Sequence, residues 1–299
     1  MDPIDPADLR DPTGAPSRRR LFRRRKIPVR LLVPNFFTLL SLCAGITAMR
    51  MAIEKQFEWA LALIVFAALL DGVDGRLARA LKSQSRFGAE FDSLADFVNF
   101  GVAPAILVYT WGLGDFKRFG WIAVLLFACG MALRLARFNS MLDVDKPRWQ
   151  SNYFTGIPAP AGALTVLLPL YLEGLGIPGF DPKAYPAVIT VYTLALAFML
   201  VSTIPTFSGK LLGERIPREL VMPILFGVVL VVALLVTYPY VTLAIITLGY
   251  LALIPFGYVK FQKEYAAWKA ATASAPASEP LSGTNVVTLS PPSQSDMKH

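Results

Sequence analysis

Four aspartates carry the densest chemical information in the chain: Asp71 and Asp74 are three residues apart, and Asp92 and Asp96 are four apart. Either spacing puts both carboxylates on one face of a helix. Both pairs sit in or beside long apolar runs, where a charged side chain costs about 2.5–3.5 kcal/mol on insertion scales, so each needs a partner. Brought together, the like charges would repel and take up protons unless positive charge lay between them. Arg79 alone is too little. Hard divalent cations such as Mg2+ or Mn2+ prefer carboxylate oxygens, and two of them would supply the missing charge. A two-metal clamp on phosphoryl oxygens is the natural use of such a cluster. Small residues stand beside the acids: Gly75 four after Asp71, Ala78 four after Asp74, and Gly88 four before Asp92. They leave room for a nucleotide or pyrophosphate near the backbone, or serve as close-packing positions between helices.

Other chemistries lack residues. The sole histidine is His299, the last residue, and the two cysteines, Cys43 and Cys129, lie inside apolar runs where a thiol behaves as a small hydrophobe. Neither imidazole catalysis nor a disulfide or cysteine metal site is expected.

The elements that must position the acids are membrane helices. Hydrophobic residues make up 55% of the 299 and charged ones only 17%, too apolar for an ordinary soluble domain. Apolar runs long enough to cross a bilayer recur at about 31–53, 58–79, 90–112, 119–140, 159–177, 185–206, 218–236 and 239–259, an all-α polytopic bundle of about eight spans. Basic residues concentrate in alternate connections, at Arg79 to Arg86, Arg137 to Arg148, Lys210 to Arg218, and Lys260 with Lys263. By the positive-inside rule both termini are cytoplasmic. The start, Met1 to Ser17, has no apolar run before a small-residue cleavage site, so no removed targeting segment is expected.

Much of the net charge of +8 sits in one block from Arg18 to Arg30. Immediately before a spanning helix, such a block suits anionic lipid headgroups rather than nucleic acid, or acts as an orientation signal. The chain therefore divides into a basic cytoplasmic arm (1–30), a transmembrane domain (31–262) and a cytoplasmic tail (263–299). Ala, Ser, Pro and Thr enrich that tail, and such a composition is expected to be disordered.

Read as D-x2-D-G-x2-A-R-x8-G-x3-D-x3-D, the acidic stretch resembles the signature of the CDP-alcohol phosphotransferase family at every specified position. The resemblance covers roughly Pro34 to Lys210. It implies that Asp71, Asp74, Asp92 and Asp96 hold two divalent cations, Mg2+ or Mn2+, and that Asp96 is also the catalytic base. It further implies that Gly75, Ala78, Arg79 and Gly88 border a nucleotide diphosphate, joined by Asn35 and Thr38 from the segment Pro34 to Thr38. A polar side chain such as Asn35 can also bond a neighbouring helix.

Three later segments, Arg134 to Asn139, Gly156 to Pro160 and Val201 to Pro205, resemble the serine-using bacterial branch of that family. The implied reaction moves a phosphatidyl group from CDP-diacylglycerol to L-serine, releasing CMP. Arg134, Arg137 and Asn139 would bind the acceptor, with Arg134 alternatively part of a positive-inside cluster. The resemblance also implies a homodimer in the bacterial inner (cytoplasmic) membrane, with the site facing the cytoplasm. Two rivals stay open: the same chemistry with glycerol 3-phosphate, inositol phosphate or choline, and a divalent-cation transporter. A transporter needs polar residues through both leaflets, whereas these carboxylates cluster near one face.

Overall fold

The computed structural model describes residues 29–81, 85–141, 153–179, 181–202, 205–207 and 218–274. Most of the basic arm, Lys210, and the tail beyond residue 274 lie outside the described residues.

Helix α1 (Val29–Ile53) turns back through three residues into α2 (Phe57–Ala80). Lys55 makes the turn with φ 61°, while Gln56 N–H donates to Met51 O at 2.8 Å and Lys55 N–H to Ala52 O at 3.1 Å. Those two bonds satisfy carbonyls that the end of α1 would otherwise orphan. Ala44, Ala48 and Ala52 form a buried stripe at helical spacing on α1, and Ala48 and Ala52 share one core with Ala60, Leu61 and Ile64 of α2. Small residues let two backbones approach closely where lipid supplies no hydrophobic drive between helices.

Ser85, in extended conformation, starts α3 (Arg86–Asp96) by accepting from Gly88 N–H at 3.0 Å. The helix continues through a π-helical stretch (Phe97–Val102), α4 (Ala103–Val108), a second π-helical stretch (Tyr109–Leu113) and a 3-10 turn (Gly114–Phe116); Lys117, at φ 48°, then breaks it, and α5 (Lys117–Ser140) packs back against the π-helical stretch and α4. The rest comprises β1 (Tyr153–Thr155), α6 (Ala159–Val166), α7 (Leu168–Gly174), a 3-10 turn (Pro182–Ala184), α8 (Pro186–Val201), β2 (Pro205–Phe207), α9 (Arg218–Thr237) and α10 (Pro239–Ser274). Phe100, Leu107, Phe127, Met131, Tyr171 and Leu200 are fully buried at the centre.

Three boundaries differ from the sequence reading. The expected span 159–177 is broken between α6 and α7, because Pro169 has no N–H to continue the ladder. Helix α8 ends at Val201, and β2 then pairs antiparallel with β1 in the register Phe154 with Thr206, a short departure from an all-helical chain. Helix α10 runs on to Ser274, so the tail expected from residue 263 begins as helix. Its Ala and Lys residues in that stretch are strong helix formers.

Among the described residues, four helical stretches are long and apolar enough to cross a membrane: Val33–Ile53, Arg86–Ser140, Leu220–Thr237 and Pro239–Lys263. The acids and arginines of α2 keep it out of that set. Apolar residues cover every face of α9, and none of its apolar stretch is buried, as suits a helix bathed in lipid.

Candidate active site

Asp71 and Asp74 project from the last turns of α2, and Asp92 and Asp96 from α3 beside it. One carboxylate oxygen each from Asp71, Asp74 and Asp92 lies within 4.8 Å of the others. Asp96, one turn beyond Asp92, has its carboxyl within hydrogen-bonding reach of Asp71. Two carboxyls in contact must share a proton or a cation. The donor set is all hard oxygen with a surplus of negative charge, so it fits divalent cations of the Mg2+ or Mn2+ type.

The acids form one wall of a cavity of about 650 Å3. Asn35, Thr38, Gly75, Ala78, Arg79 and Gly88 also line it, so every residue assigned to the nucleotide and metals falls in one space. Thr38 donates its hydroxyl to Asp74 Oδ2 at 2.9 Å, and Asp74 is buried. A Cβ at Gly75 would meet nothing within 4 Å, so this position opens on the cavity. Gly88 differs, since a Cβ there would lie 3.2 Å from Asn35 Oδ1 and 3.1 Å from Ser85 Oγ. Its bareness lets α3 start close against α1 rather than leaving empty space. Arg79 folds back along its helix, donating from Nε to Gly75 O at 3.1 Å.

The three residues assigned to the acceptor stand apart from that lining. Arg134 Nε–H donates to Ile157 O, and the side chain is also within Coulombic reach of Asp96 and of Tyr250 in α10. Arg137 donates to Val201 O at 2.6 Å, placing a cation on the last carbonyls of α8. Asn139 donates to Ser93 Oγ at 2.8 Å, tying α5 to α3 next to Asp92. Gly156, with φ 78°, lets the turn before α6 lie against this corner; a Cβ there would be 3.1 Å from Ser202 O.

Sequence reasoning missed several residues. Arg76, Ser85 and Phe138 line the cavity as well. Ser85 carried a signal, as a serine just before an apolar-periodic run is a helix cap. A second polar layer lies one turn deeper: Asn99 Nδ2 donates to Ser41 Oγ at 2.8 Å, and Ser41 donates to Ala67 O at 3.0 Å. Ser41 follows Thr38 by three residues, Ala67 precedes Asp71 by four, and Asn99 follows Asp96 by three. The layer thus pins the three helices beneath their site residues.

The chain is also similar to known proteins. The family model for CDP-alcohol phosphatidyltransferase matches residues 31–205, and that for CDP-alcohol phosphatidyltransferase 2 matches residues 219–255. A CDP-diacylglycerol–serine O-phosphatidyltransferase of Mycobacterium leprae is 40% identical over 234 residues, 78% of this chain and 76% of the relative. A Helicobacter pylori protein of the same name is 43% identical over 142 residues, 48% of this chain and 58% of the relative. An archaetidylserine synthase of Methanothermobacter thermautotrophicus is 31% identical over 183 residues, covering 60% and 71%. The converged carboxylates and the match over more than half of its length lead to one conclusion: the chain is an integral membrane protein of the CDP-alcohol phosphatidyltransferase family.

Proposed function

We propose that this protein transfers the phosphatidyl group of CDP-diacylglycerol to L-serine, giving phosphatidylserine and CMP. The observation that carries the reading is the convergence of four carboxylates from α2 and α3 on one wall of the cavity that Asn35, Thr38 and Gly75 also line. The relatives named for serine transfer support the choice of acceptor.

Asp71, Asp74, Asp92 and Asp96 would hold two divalent cations, which when bound neutralise the diphosphate and polarise its phosphoryl oxygens. Asn35, Gly75, Ala78 and Gly88 bound the space for the nucleotide, while Arg79 and Arg76 supply positive charge at its edge. The serine hydroxyl oxygen forms a bond to the phosphorus that carries diacylglycerol, and the bond from that phosphorus to the CMP oxygen breaks. Asp96 accepts the hydroxyl proton. Arg134, already in Coulombic reach of Asp96, attracts the serine carboxylate, and Arg137 and Asn139 complete the acceptor end.

The cavity belongs at the cytoplasmic side of the inner membrane, in a bundle of about eight spans with both termini cytoplasmic, as the distribution of basic residues favours. The basic arm meets anionic lipid, and two copies form a homodimer. Purified protein incubated with CDP-diacylglycerol, Mn2+ or Mg2+ and a panel of labelled alcohols tests the function. Incorporation of serine supports it; incorporation of only glycerol 3-phosphate or inositol phosphate removes the serine assignment.

A further inference from the structure

At the end of the bundle remote from the aspartates, a second cavity of about 630 Å3 opens between the α1–α2 turn, Trp111, the end of α7 and the start of α10. Glu58 on its rim precedes Asp71 by thirteen residues on the same helix, about 20 Å along the axis. Its floor is internally paired. The Lys183 ammonium lies 2.7 Å from Glu173 Oε1 and sits over the Trp111 and Phe57 rings at 5.3 and 5.8 Å. Trp111 donates its indole N–H to the other oxygen of Glu173.

The rim differs from the floor. Lys55 and Glu58 take part in neither ion pair found among the described residues, Arg50 with Glu54 and Lys183 with Glu173. An exposed Trp59 and a half-buried Tyr240 stand beside them, side chains suited to a membrane interface. Glu58 and Tyr240 belong at the same time to an apolar groove of about 380 Å3 between α2 and the α9–α10 pair. From Glu58 to Leu69 the groove follows α2 for eleven residues, about 16 Å, which is the depth of one leaflet of a core about 30 Å thick.

We propose that this cavity and groove bind one phospholipid of the leaflet opposite the active site, with a zwitterionic primary-amine headgroup. Lys55 takes the phosphate, Glu58 takes the ammonium beside the Trp59 ring, and one acyl chain lies in the groove. Charge complementarity selects a zwitterion, and a primary ammonium, unlike a quaternary one, can donate hydrogen bonds to the Glu58 carboxylate. The lining holds Lys55 and Lys183 against Glu58 and Glu173, so a purely anionic headgroup would leave Glu58 facing negative charge, whereas a zwitterion gives Lys55 and Glu58 each an opposite charge. The inference rests on the membrane setting and is independent of which alcohol the active site accepts.

The test uses the full chain in nanodiscs of equal phosphatidylethanolamine and phosphatidylglycerol, followed by native mass spectrometry of the released protein. Wild type is expected to keep one phosphatidylethanolamine. Lys55→Gln with Glu58→Gln, and separately Ala62→Trp, which fills the groove, are expected to lose it while metal-dependent phosphatidyl transfer in detergent is unchanged. A second measurement needs no variant: adding phosphatidylethanolamine to delipidated wild type raises its melting temperature, and phosphatidylglycerol does not. Equal retention or equal melting shifts for the two lipids, or retention unaffected by either variant, would overturn the proposal without touching the transfer reaction.

Discussion

The Thr38 hydroxyl of α1 donates to Oδ2 of Asp74 in α2 across 2.9 Å, joining the first helix to the acidic cluster. One oxygen of a buried carboxylate is thereby oriented, leaving its remaining lone pairs for a cation. Partners of metal-binding carboxylates fix their rotamers and charge.

Thr38→Val keeps the shape and removes the donor. Metal affinity is expected to fall about 10- to 100-fold, the usual effect of losing such a partner. Titration of activity against Mn2+ checks it: the half-saturating concentration should rise, with turnover at saturating metal much less affected.

For the base, Asp96→Asn conserves volume and abolishes proton acceptance. Turnover is expected to fall by about 10²- to 10⁴-fold, the range for a general base. Unchanged turnover in folded, purified mutant would remove Asp96 from that role.

Gly75→Leu puts a side chain into space that is otherwise open. The melting temperature should stay within a few degrees of wild type, while KM for CDP-diacylglycerol rises steeply. The reverse pattern, a destabilised protein with normal KM, would mean that Gly75 is a packing position.

Ser41→Ala and Asn99→Ala each break the polar layer under the site. Each is expected to cost about 1–3 kcal/mol, the range for leaving a buried polar group unpaired. The double variant should cost less than the sum, because the two side chains share one bond. Equilibrium unfolding in detergent measures all three.

The acidic motif was legible in the sequence because its meaning is local. Spacings of three and four fix faces of α2 and α3, and a short connection between helices brings those faces together. Gly75 followed from the same logic, whereas Asn35 and Thr38 were implied only by the resemblance of Pro34 to Thr38 to the family segment. Arg137 did not, because its bond to Val201 O depends on how α8 ends against α5, across 64 positions of chain. The break at Pro169 was visible as a residue, yet the apolar composition around it reads as one continuous span. Gly88 reads in the sequence either as open space or as a close-packing position, and the tight fit to Asn35 that favours packing depends on the approach of α1 to α3. Trp111 meets Glu173 across 62 positions of chain, and no local pattern announces that contact.

If Asp71, Asp74, Asp92 and Asp96 share two bound cations, anomalous scattering from crystals of the full chain grown with Mn2+ should show two peaks among those four carboxylates, weakened in Asp92→Asn. Active crystals with no peak there, or with Mn2+ held elsewhere, would rule out a two-cation site at these aspartates.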